Sequence, residues 1–169
     1  MSSQAGNKKD RQYGRLNEIR SDHVKRYQFA ASRITGVNVL DMACGCGYGS
    51  RILHDVGNKV TAVDISQEAI DYAKGNYEGP QYLCQRAADT KGVWDAFVSF
   101  ETLEHLPDPM TVLVGVDALL LIASVPNEEH YPFLKEKFEG ETYPHLRHYT
   151  PDEFELLLNS SGYHVLEWW

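Results

Sequence analysis

Short apolar runs alternate with segments of helical periodicity along most of the chain. The apolar runs predict six strands, at residues 37–40, 58–64, 81–86, 94–100, 119–125 and 163–169. Between them, apolar positions three or four residues apart predict helices, and the first of these helices covers residues 11–34. Strands that alternate with helices at this spacing predict an α/β fold built on a parallel, doubly wound sheet.

Two of the predicted helices have clear start signals. Ser66 follows the second strand and can cap a helix whose first turn contains Glu68. Thr150 is followed by Pro151 and by Glu153, which is the pattern of a capping box with proline at the first helical position. We expect this last helix to run to Asn159.

The stretch V-N-V-L-D-M-A-C-G-C-G-Y-G-S, residues 37–50, joins the first strand to the next helix through a glycine-rich turn. Asp41 ends the strand, and Gly45 and Gly47 follow in the turn. Glycine lets the main chain turn sharply and approach a ligand closely. A helix that starts there presents free backbone N–H groups to the ligand. The stretch therefore predicts a ligand site at this end of the sheet.

A nicotinamide dinucleotide is one ligand for such a turn, but two residues disfavour it. The dinucleotide fingerprint requires a glycine where Ser50 stands. The carboxylate of Asp41 would repel a pyrophosphate and suits a cationic ligand instead. Asp64 ends the second strand, about 20 residues beyond the turn, where a carboxylate can accept hydrogen bonds from ribose hydroxyls. These features favour a ligand that carries a ribose and a positive charge.

Composition and charge narrow the class of protein. The 169 residues are enough for one domain with a hydrophobic core, and 43% hydrophobic with 24% charged residues is ordinary for a globular protein. The net charge of −8 disfavours binding to the phosphate backbone of a nucleic acid. No apolar run approaches the roughly 20 residues of a membrane span, so no membrane partner is expected.

Cysteine usage indicates a reducing compartment. Three cysteines, two of them in the glycine-rich turn, do not make a disulfide framework. We therefore expect a cytoplasmic protein. No C-x-x-C pair and no histidine at ligand spacing lies near them, so we expect no metal site.

Three segments resemble a known family. The D-x-A-x-G-x-G-x-G of residues 41–49 resembles motif I of the class I S-adenosylmethionine (SAM) methyltransferases. The V-D-I-S-x-E-A-I of residues 63–70 is similar to motif II of the same family. The W-D-x-x-V-S-x-E-T-L-E-H-L of residues 94–106 resembles the type 11 group, which acts on small molecules.

The resemblance implies a Rossmann-like, three-layer αβα fold with a mostly parallel sheet. That family has a seven-stranded sheet, and here we expect its final strand to be missing. We expect one domain over residues 1–169, with residues 1–10 disordered and residues 11–34 forming a helical cover. A missing strand would leave an apolar edge exposed, so a homodimer is a reasonable expectation.

The resemblance also implies a binding site for SAM and for its product, S-adenosylhomocysteine. In the family, the acid of motif I lies near the methionine moiety, the acid of motif II binds the ribose, and a later acid binds the adenine amino group. Carried onto this chain, the cofactor-binding residues are Arg26, Asp41, Ala43, Gly45, Gly47, Asp64, Ile65, Ala88, Asp89 and Phe100. Arg26 would pair with the cofactor carboxylate, although an ordinary surface arginine is an equal alternative.

Methyl transfer needs a general base only where the acceptor is protonated, as a hydroxyl is. The candidates are three histidines with Glu104 and Tyr149, and histidine titrates in the right range. We expect His105, His148 and Tyr149 to serve on the acceptor side, with His145 as a further candidate.

The sequence thus predicts a SAM-dependent methyltransferase that acts on a small-molecule acceptor. A SAM-binding protein without transferase activity, inactive or regulatory, is the first alternative. An NAD-dependent oxidoreductase is the second, and Ser50 and Asp41 disfavour it. A nucleic-acid substrate is not expected, because no Asn/Asp-Pro-Pro-aromatic motif follows the fourth strand.

Overall fold

Five parallel strands form a single sheet in the structure, a computed structural model that describes residue 14, residues 18–141 and residues 144–169. The strands are β1 (Asn38–Met42), β2 (Lys59–Asp64), β3 (Gln81–Cys84), β4 (Val93–Phe100) and β5 (Asp117–Ser124). Each lies within two residues of a strand that the apolar runs predict. The α/β prediction is confirmed.

The strand order is β3-β2-β1-β4-β5, which places the first strand at the centre of the sheet. Val39 of β1 lies opposite Val60 of β2 and Ala96 of β4. All the strands are parallel, so their carboxyl ends share one edge of the sheet. The order reverses at β1, and ligands of such sheets bind in the crevice at this reversal.

Helices cover both faces of the sheet. They are α1 (Ser21–Arg33), α2 (Tyr48–Asp55), α3 (Gln67–Asn76), α4 (Pro109–Gly115) and α5 (Pro151–Ser160). One apolar cluster joins α1, α2 and α3 to the sheet, and a second cluster joins α4 and α5 to the sheet. The three-layer αβα arrangement is therefore as the resemblance implies.

Side-chain caps fix the starts of two helices where the sequence predicts them. The Ser66 hydroxyl accepts a hydrogen bond from the backbone N–H of Ala69. At α5, the Thr150 hydroxyl accepts from the N–H of Glu153, and the Glu153 carboxylate accepts from the N–H of Thr150. Both predictions are confirmed.

The first helix begins later than the apolar spacing predicts. Residues 18–20 are not α-helical, and α1 starts at Ser21. Gly14 has a φ of +143°, which a helix does not allow. Its N–H donates to the Tyr72 hydroxyl and its carbonyl accepts from the Tyr77 hydroxyl, which ties the chain to the region of α3. The remaining parts of the prediction over residues 1–17 lie outside the described residues.

The predicted strand at residues 163–169 is wrong, because this segment pairs with no strand. It crosses instead to α1, where Glu167 pairs with Arg33 at 2.7 Å and Trp169 stacks on Phe29 with ring centroids 4.8 Å apart. Among the described residues, β5 pairs only with β4, and one edge of β5 is left without a strand.

None of the helices in the described residues has the length and apolar character that a membrane crossing requires.

Candidate functional site

A cavity of about 540 Å³ opens at the carboxyl ends of β1, β2 and β4. Eight of the residues that the sequence singles out line it, namely Arg26, Ala43, Gly45, Asp64, Ile65, Ala88, Phe100 and His105. They come from segments far apart in the chain, and the parallel sheet brings them together because its strands end at one edge.

The glycine-rich turn forms the floor of the cavity. Ala43 and Gly45 both have positive φ values, +58° and +54°. A left-handed conformation is costly for alanine, and such strain concentrates at functional sites. A Cβ atom built on Gly45 would meet nothing within 4 Å, so the main chain there faces open space.

Asp64, at the end of β2, holds this turn in place. One carboxylate oxygen accepts from the N–H of Gly45 at 3.0 Å, and the other accepts from the N–H of Ser66 at 2.8 Å. The side chain is buried but lines the cavity. Because each carboxylate oxygen has two lone pairs, Asp64 can hold the turn and still accept from a ligand hydroxyl.

Asp41 lies behind the cavity wall rather than in it. Its carboxyl group accepts hydrogen bonds from the Tyr27 hydroxyl at 3.1 Å and from the Ser50 hydroxyl at 2.6 Å. Burial raises the pKa of Asp41 to about 7, although both hydrogen bonds favour the ionised form. Tyr27 itself lines the cavity, so any influence of Asp41 on a ligand passes through its neighbours.

Gly47 and Gly49 serve packing rather than the cavity surface. A Cβ on Gly47 would lie 2.6 Å from the Cβ of Ala73, and a Cβ on Gly49 would lie 2.1 Å from the Tyr27 ring. Neither glycine lines the cavity. Gly47 was expected to contact the cofactor, but the structure places it at the start of α2, against α3.

Arg26 of α1 and Glu101 face each other across the cavity mouth. Their closest charged atoms are 3.7 Å apart, and Glu101 also accepts from the Ser124 hydroxyl at 2.7 Å. Glu101 has a φ of +50°, the second strained non-glycine residue at the site. The Nη1 atom of Arg26 is buried without a hydrogen-bond partner in the described part of the chain.

The wall next to Asp64 combines apolar residues with the amide of Gln85 and the charged side chain of Arg86. Ile65 is exposed, and with Ala88 it lines the cavity beside the amide of Gln85. Asp89 was expected here, but it is exposed and does not line the cavity. The short 3-10 helix at Ala87–Asp89 carries it away from the wall.

His105 also lines the cavity. Its Nδ1 atom lies 3.3 Å from the carbonyl oxygen of Pro144, and its Nε2 atom lies 3.9 Å from the carboxyl of Glu104. Glu104, His105 and His145 offer ligand atoms that all lie within 4.8 Å of one another, and they could hold a metal ion.

The structure does not bring the other two predicted acceptor-side residues to the cavity. His148 packs against Phe133 and Phe138, and Tyr149 is buried against Phe154 of α5. Neither lines the cavity. His148 lies next to His145, with its Nε2 atom 2.8 Å from Nδ1 of His145, but His145 does not line the cavity either.

Several cavity residues were absent from the predicted set. His23 donates to or accepts from the Tyr48 hydroxyl at 3.2 Å, and both side chains line the cavity together with Tyr27, Gln85 and Glu101. Gln85 lies near the end of the predicted third strand and Glu101 directly follows the fourth, so their place at the carboxyl ends of the sheet is the signal that could have found them.

Comparison with known proteins agrees with this geometry. Residues 40–121 match the family described as "Methyltransferase domain". A ubiquinone biosynthesis O-methyltransferase from Xanthomonas campestris is 33% identical over 113 residues, which cover 62% of this chain and 46% of the relative. One from Coxiella burnetii is 34% identical over 116 residues, covering 63% and 50%. The chain thus spans about half the length of the curated relatives it matches.

Solved structures share the fold at low sequence identity. Magnesium protoporphyrin IX methyltransferase from Synechocystis, solved with bound S-adenosylhomocysteine, has a TM-score of 0.68 at 17% identity, with 92% of this chain and 81% of that chain covered. The Haloferax volcanii protein solved with the methyltransferase activator Trm112 has a TM-score of 0.72 at 21% identity, covering 86% and 71%.

Proposed function

We propose that the chain is a class I SAM-dependent methyltransferase that transfers a methyl group from SAM to a small-molecule acceptor. The observation that carries the proposal is the cavity at the carboxyl ends of β1, β2 and β4, where a glycine turn meets the Asp64 carboxylate. The names of the curated relatives support a hydroxyl oxygen as the acceptor atom.

The residues around the glycine turn fit the nucleoside part of SAM. The main chain of Gly45 faces open space, which leaves room for a ligand against the backbone. Asp64 has the carboxylate that a ribose needs, and the exposed Ile65 offers an apolar surface for a base. The amide of Gln85, which also lines the cavity, would contact the base in the role that we expected of Asp89.

The residues at the cavity mouth fit the amino-acid part. The buried Nη1 of Arg26 lacks a hydrogen-bond partner among the described residues and would donate to the cofactor carboxylate. Glu101 would face the ammonium group. Both residues already line the cavity, and their own contact of 3.7 Å is long for a hydrogen-bonded pair.

SAM supplies an activated methyl group on a sulfonium, so the protein's task is to bind, align and exclude water. Phe100 and Tyr27 pack edge to face, with centroids 5.0 Å apart, and give the cavity a rigid aromatic wall. His105 would accept the proton of an acceptor hydroxyl, because it is the one of the three acceptor-side histidines, His105, His145 and His148, that lines the cavity.

Calorimetric titration with SAM and with S-adenosylhomocysteine tests the cofactor assignment. Asp64→Ala should weaken both affinities by more than about tenfold, since a charge-assisted hydrogen bond contributes about 1.5–3 kcal/mol. Asp71→Ala, on the exposed face of α3, is the matched control and should bind as the wild type does. Equal affinities for the two variants would remove Asp64 from the cofactor site.

A turnover assay separates the proposal from its alternatives. Release of S-adenosylhomocysteine in a screen of hydroxylated small molecules supports methyl transfer. Tight SAM binding without any release supports a SAM-binding protein that lacks transferase activity. A fluorescence titration with reduced nicotinamide dinucleotide tests the oxidoreductase alternative, and saturable binding there would contradict the proposal.

We further propose that the chain acts as one domain, in a reducing cytoplasm, without a nucleic-acid substrate, and as a homodimer. The free thiols of Cys44, Cys46 and Cys84 support a reducing compartment. The net charge of −8 supports the exclusion of a nucleic-acid substrate. Leu119 on the unpaired side of the sheet is 86% exposed, which supports a second copy covering this edge. Sedimentation velocity should give twice the monomer mass, and a purely monomeric profile would contradict the dimer.

A further inference from the structure

The carboxyl group of Glu104 is buried and accepts no hydrogen bond from the described part of the chain. Its side chain is 0% exposed, and neither oxygen has a hydrogen-bond partner among the described residues. An isolated buried carboxylate is so costly that such groups are paired, protonated or bound to a metal ion.

Two histidines from different parts of the chain lie against this carboxyl group. His105 follows it directly, and the N–H of Leu146 donates to the Glu104 carbonyl at 2.9 Å, which holds His145 alongside. The two imidazole rings meet edge to face with centroids 4.6 Å apart. Carboxylate oxygen and imidazole nitrogen are the donor set that zinc and related transition metals prefer.

The contact between His105 and the carbonyl of Pro144 fixes which ring nitrogen of His105 is left to bind a metal ion. Its Nδ1 atom faces the carbonyl oxygen of Pro144 at 3.3 Å. A carbonyl only accepts, so Nδ1 carries the proton, and the lone pair of the neutral ring is on Nε2, the nitrogen that faces Glu104. Metal-bound histidines are usually held in this way, by a hydrogen bond from the other ring nitrogen to a carbonyl.

The contacts of His148 likewise determine which ring nitrogen of His145 is left to bind a metal ion. The Nδ1 atom of His148 donates to the carbonyl oxygen of Tyr131 at 2.5 Å. In neutral His148 the Nε2 atom is therefore an acceptor, and it lies 2.8 Å from Nδ1 of His145. His145 donates there, so its own lone pair is on Nε2. Phe138 stacks on the ring at 4.4 Å and fixes its plane.

We propose that Glu104, His105 and His145 bind one divalent transition-metal ion of the zinc class. The three ligand atoms lie within 4.8 Å of one another, so small side-chain rotations bring them to coordination distance. His105 lines the cavity, so a fourth position of the ion opens toward it. This proposal replaces the sequence-based expectation of no metal, which considered only residues near the cysteines.

Glu101 is not part of the proposed ligand set, although it too lines the cavity. Its carboxylate accepts from the Ser124 hydroxyl and faces Arg26. Glu101 therefore has a hydrogen-bond donor of its own, whereas neither carboxyl oxygen of Glu104 accepts a hydrogen bond within the described residues. The third protein ligand comes instead from His145, in the C-terminal third of the chain.

Metal binding at this site does not depend on methyl transfer. The role of the metal ion does rest on the proposed function, because the ion would lower the pKa of a bound acceptor hydroxyl and so help to remove its proton, which is otherwise the task of His105. Metal binding without SAM binding would therefore count against the proposed function alone, and SAM binding without metal binding would count against this site alone.

The test uses the full chain, freed of metal by a chelator and titrated with Co²⁺ as a visible probe and with Zn²⁺ by calorimetry. We expect one ion per chain, with cobalt d–d absorption of nitrogen and oxygen ligation. His145→Ala and Glu104→Gln should each weaken binding by more than about tenfold, the loss that even outer contacts cause at metal sites. His130→Ala, at an exposed histidine, and Glu101→Gln should bind as the wild type does.

Three results would overturn the proposal. The first is a wild-type protein that takes up no ion and gains no thermal stability from Zn²⁺, a measurement that needs no variant. The second is cobalt–thiolate absorption, which would assign the ion to a cysteine. The third concerns the His145→Ala variant, shown by circular dichroism to be folded. The proposal fails if this variant binds the ion as tightly as His130→Ala does, or more tightly than Glu101→Gln does.

Discussion

Tyr27 of α1 connects several parts of the site at the scale of single residues. Its hydroxyl donates to the buried Asp41, and its ring packs against Tyr48 and Phe100. The same ring lies over Gly49, where no Cβ could fit. One aromatic side chain therefore joins α1 to the glycine turn, to β4 and to the cavity wall.

Gly49→Ala tests this close approach. The new Cβ would lie 2.1–2.3 Å from three atoms of the Tyr27 ring, so α1 must shift or the ring must rotate. We expect the free energy of unfolding to fall by roughly 1–3 kcal/mol, as overpacking usually costs. Chemical denaturation measures this change.

Gly75→Ala is the matched control for that variant. A Cβ there would meet nothing within 4 Å, and Gly75 lies in α3 without a positive φ. This substitution should raise the free energy of unfolding by about 0.4–1 kcal/mol, because alanine has a higher helix propensity than glycine. A Gly49→Ala variant as stable as Gly75→Ala would mean that α1 does not pack closely on α2.

At the scale of elements, caps decide where helices begin. Helix α5 brings Phe154 and Leu158 into the core beside β4 and β5. Its reciprocal hydrogen bonds between Thr150 and Glu153 satisfy backbone N–H groups that the first turn leaves free. Hydrogen bonds from Thr150 also lower the pKa of Glu153.

Thr150→Ala should lower the free energy of unfolding by about 1 kcal/mol, the usual cost of losing an N-cap. Thr150→Ser keeps the hydroxyl oxygen that accepts from the N–H of Glu153, so it should retain most of the wild-type stability. Urea denaturation of the three proteins gives the comparison. A serine variant as unstable as the alanine variant would show that the hydroxyl is not the stabilising group.

At the scale of the whole molecule, the titration of Asp41 in the central strand makes stability depend on pH. In the folded protein the Asp41 carboxyl group keeps its proton up to about pH 7, whereas in an unfolded chain it releases the proton near pH 3.8. Between these values the folded state binds more protons than the unfolded state, so the contribution of Asp41 to stability falls as pH rises. This contribution is fully present below the lower value.

Asp41→Asn removes that titration while keeping the shape of the side chain. The wild-type free energy of unfolding minus that of the variant should fall with rising pH across this window, by at most about 1.4 kcal/mol per pH unit. Equilibrium denaturation at several pH values measures the difference. A difference that is constant or rises with pH would show that Asp41 is ionised in the fold.

Residues that line the cavity were predicted from sequence mainly where a short motif fixes the backbone. Gly45, Asp64 and Ile65 lie at the ends of strands or shortly after them, and strand ends in a parallel sheet meet at one edge. Asp89 was misplaced because a short 3-10 helix carries it away from the cavity, and His148 because it lies in a loop, where spacing along the chain does not determine the direction of a side chain. The strand at residues 163–169 failed because a strand needs a paired neighbour, which hydrophobic alternation alone does not provide.

The amino-acid sequence by itself determined the order of strands and helices, the two helix caps and the glycine turn, because each depends on residues close together in the chain. Only the tertiary structure decided that Asp41 is enclosed, that Gly47 and Gly49 are packing positions, and that Glu104 meets His145. Those contacts join residues far apart in sequence, and burial then sets their charge and their partners.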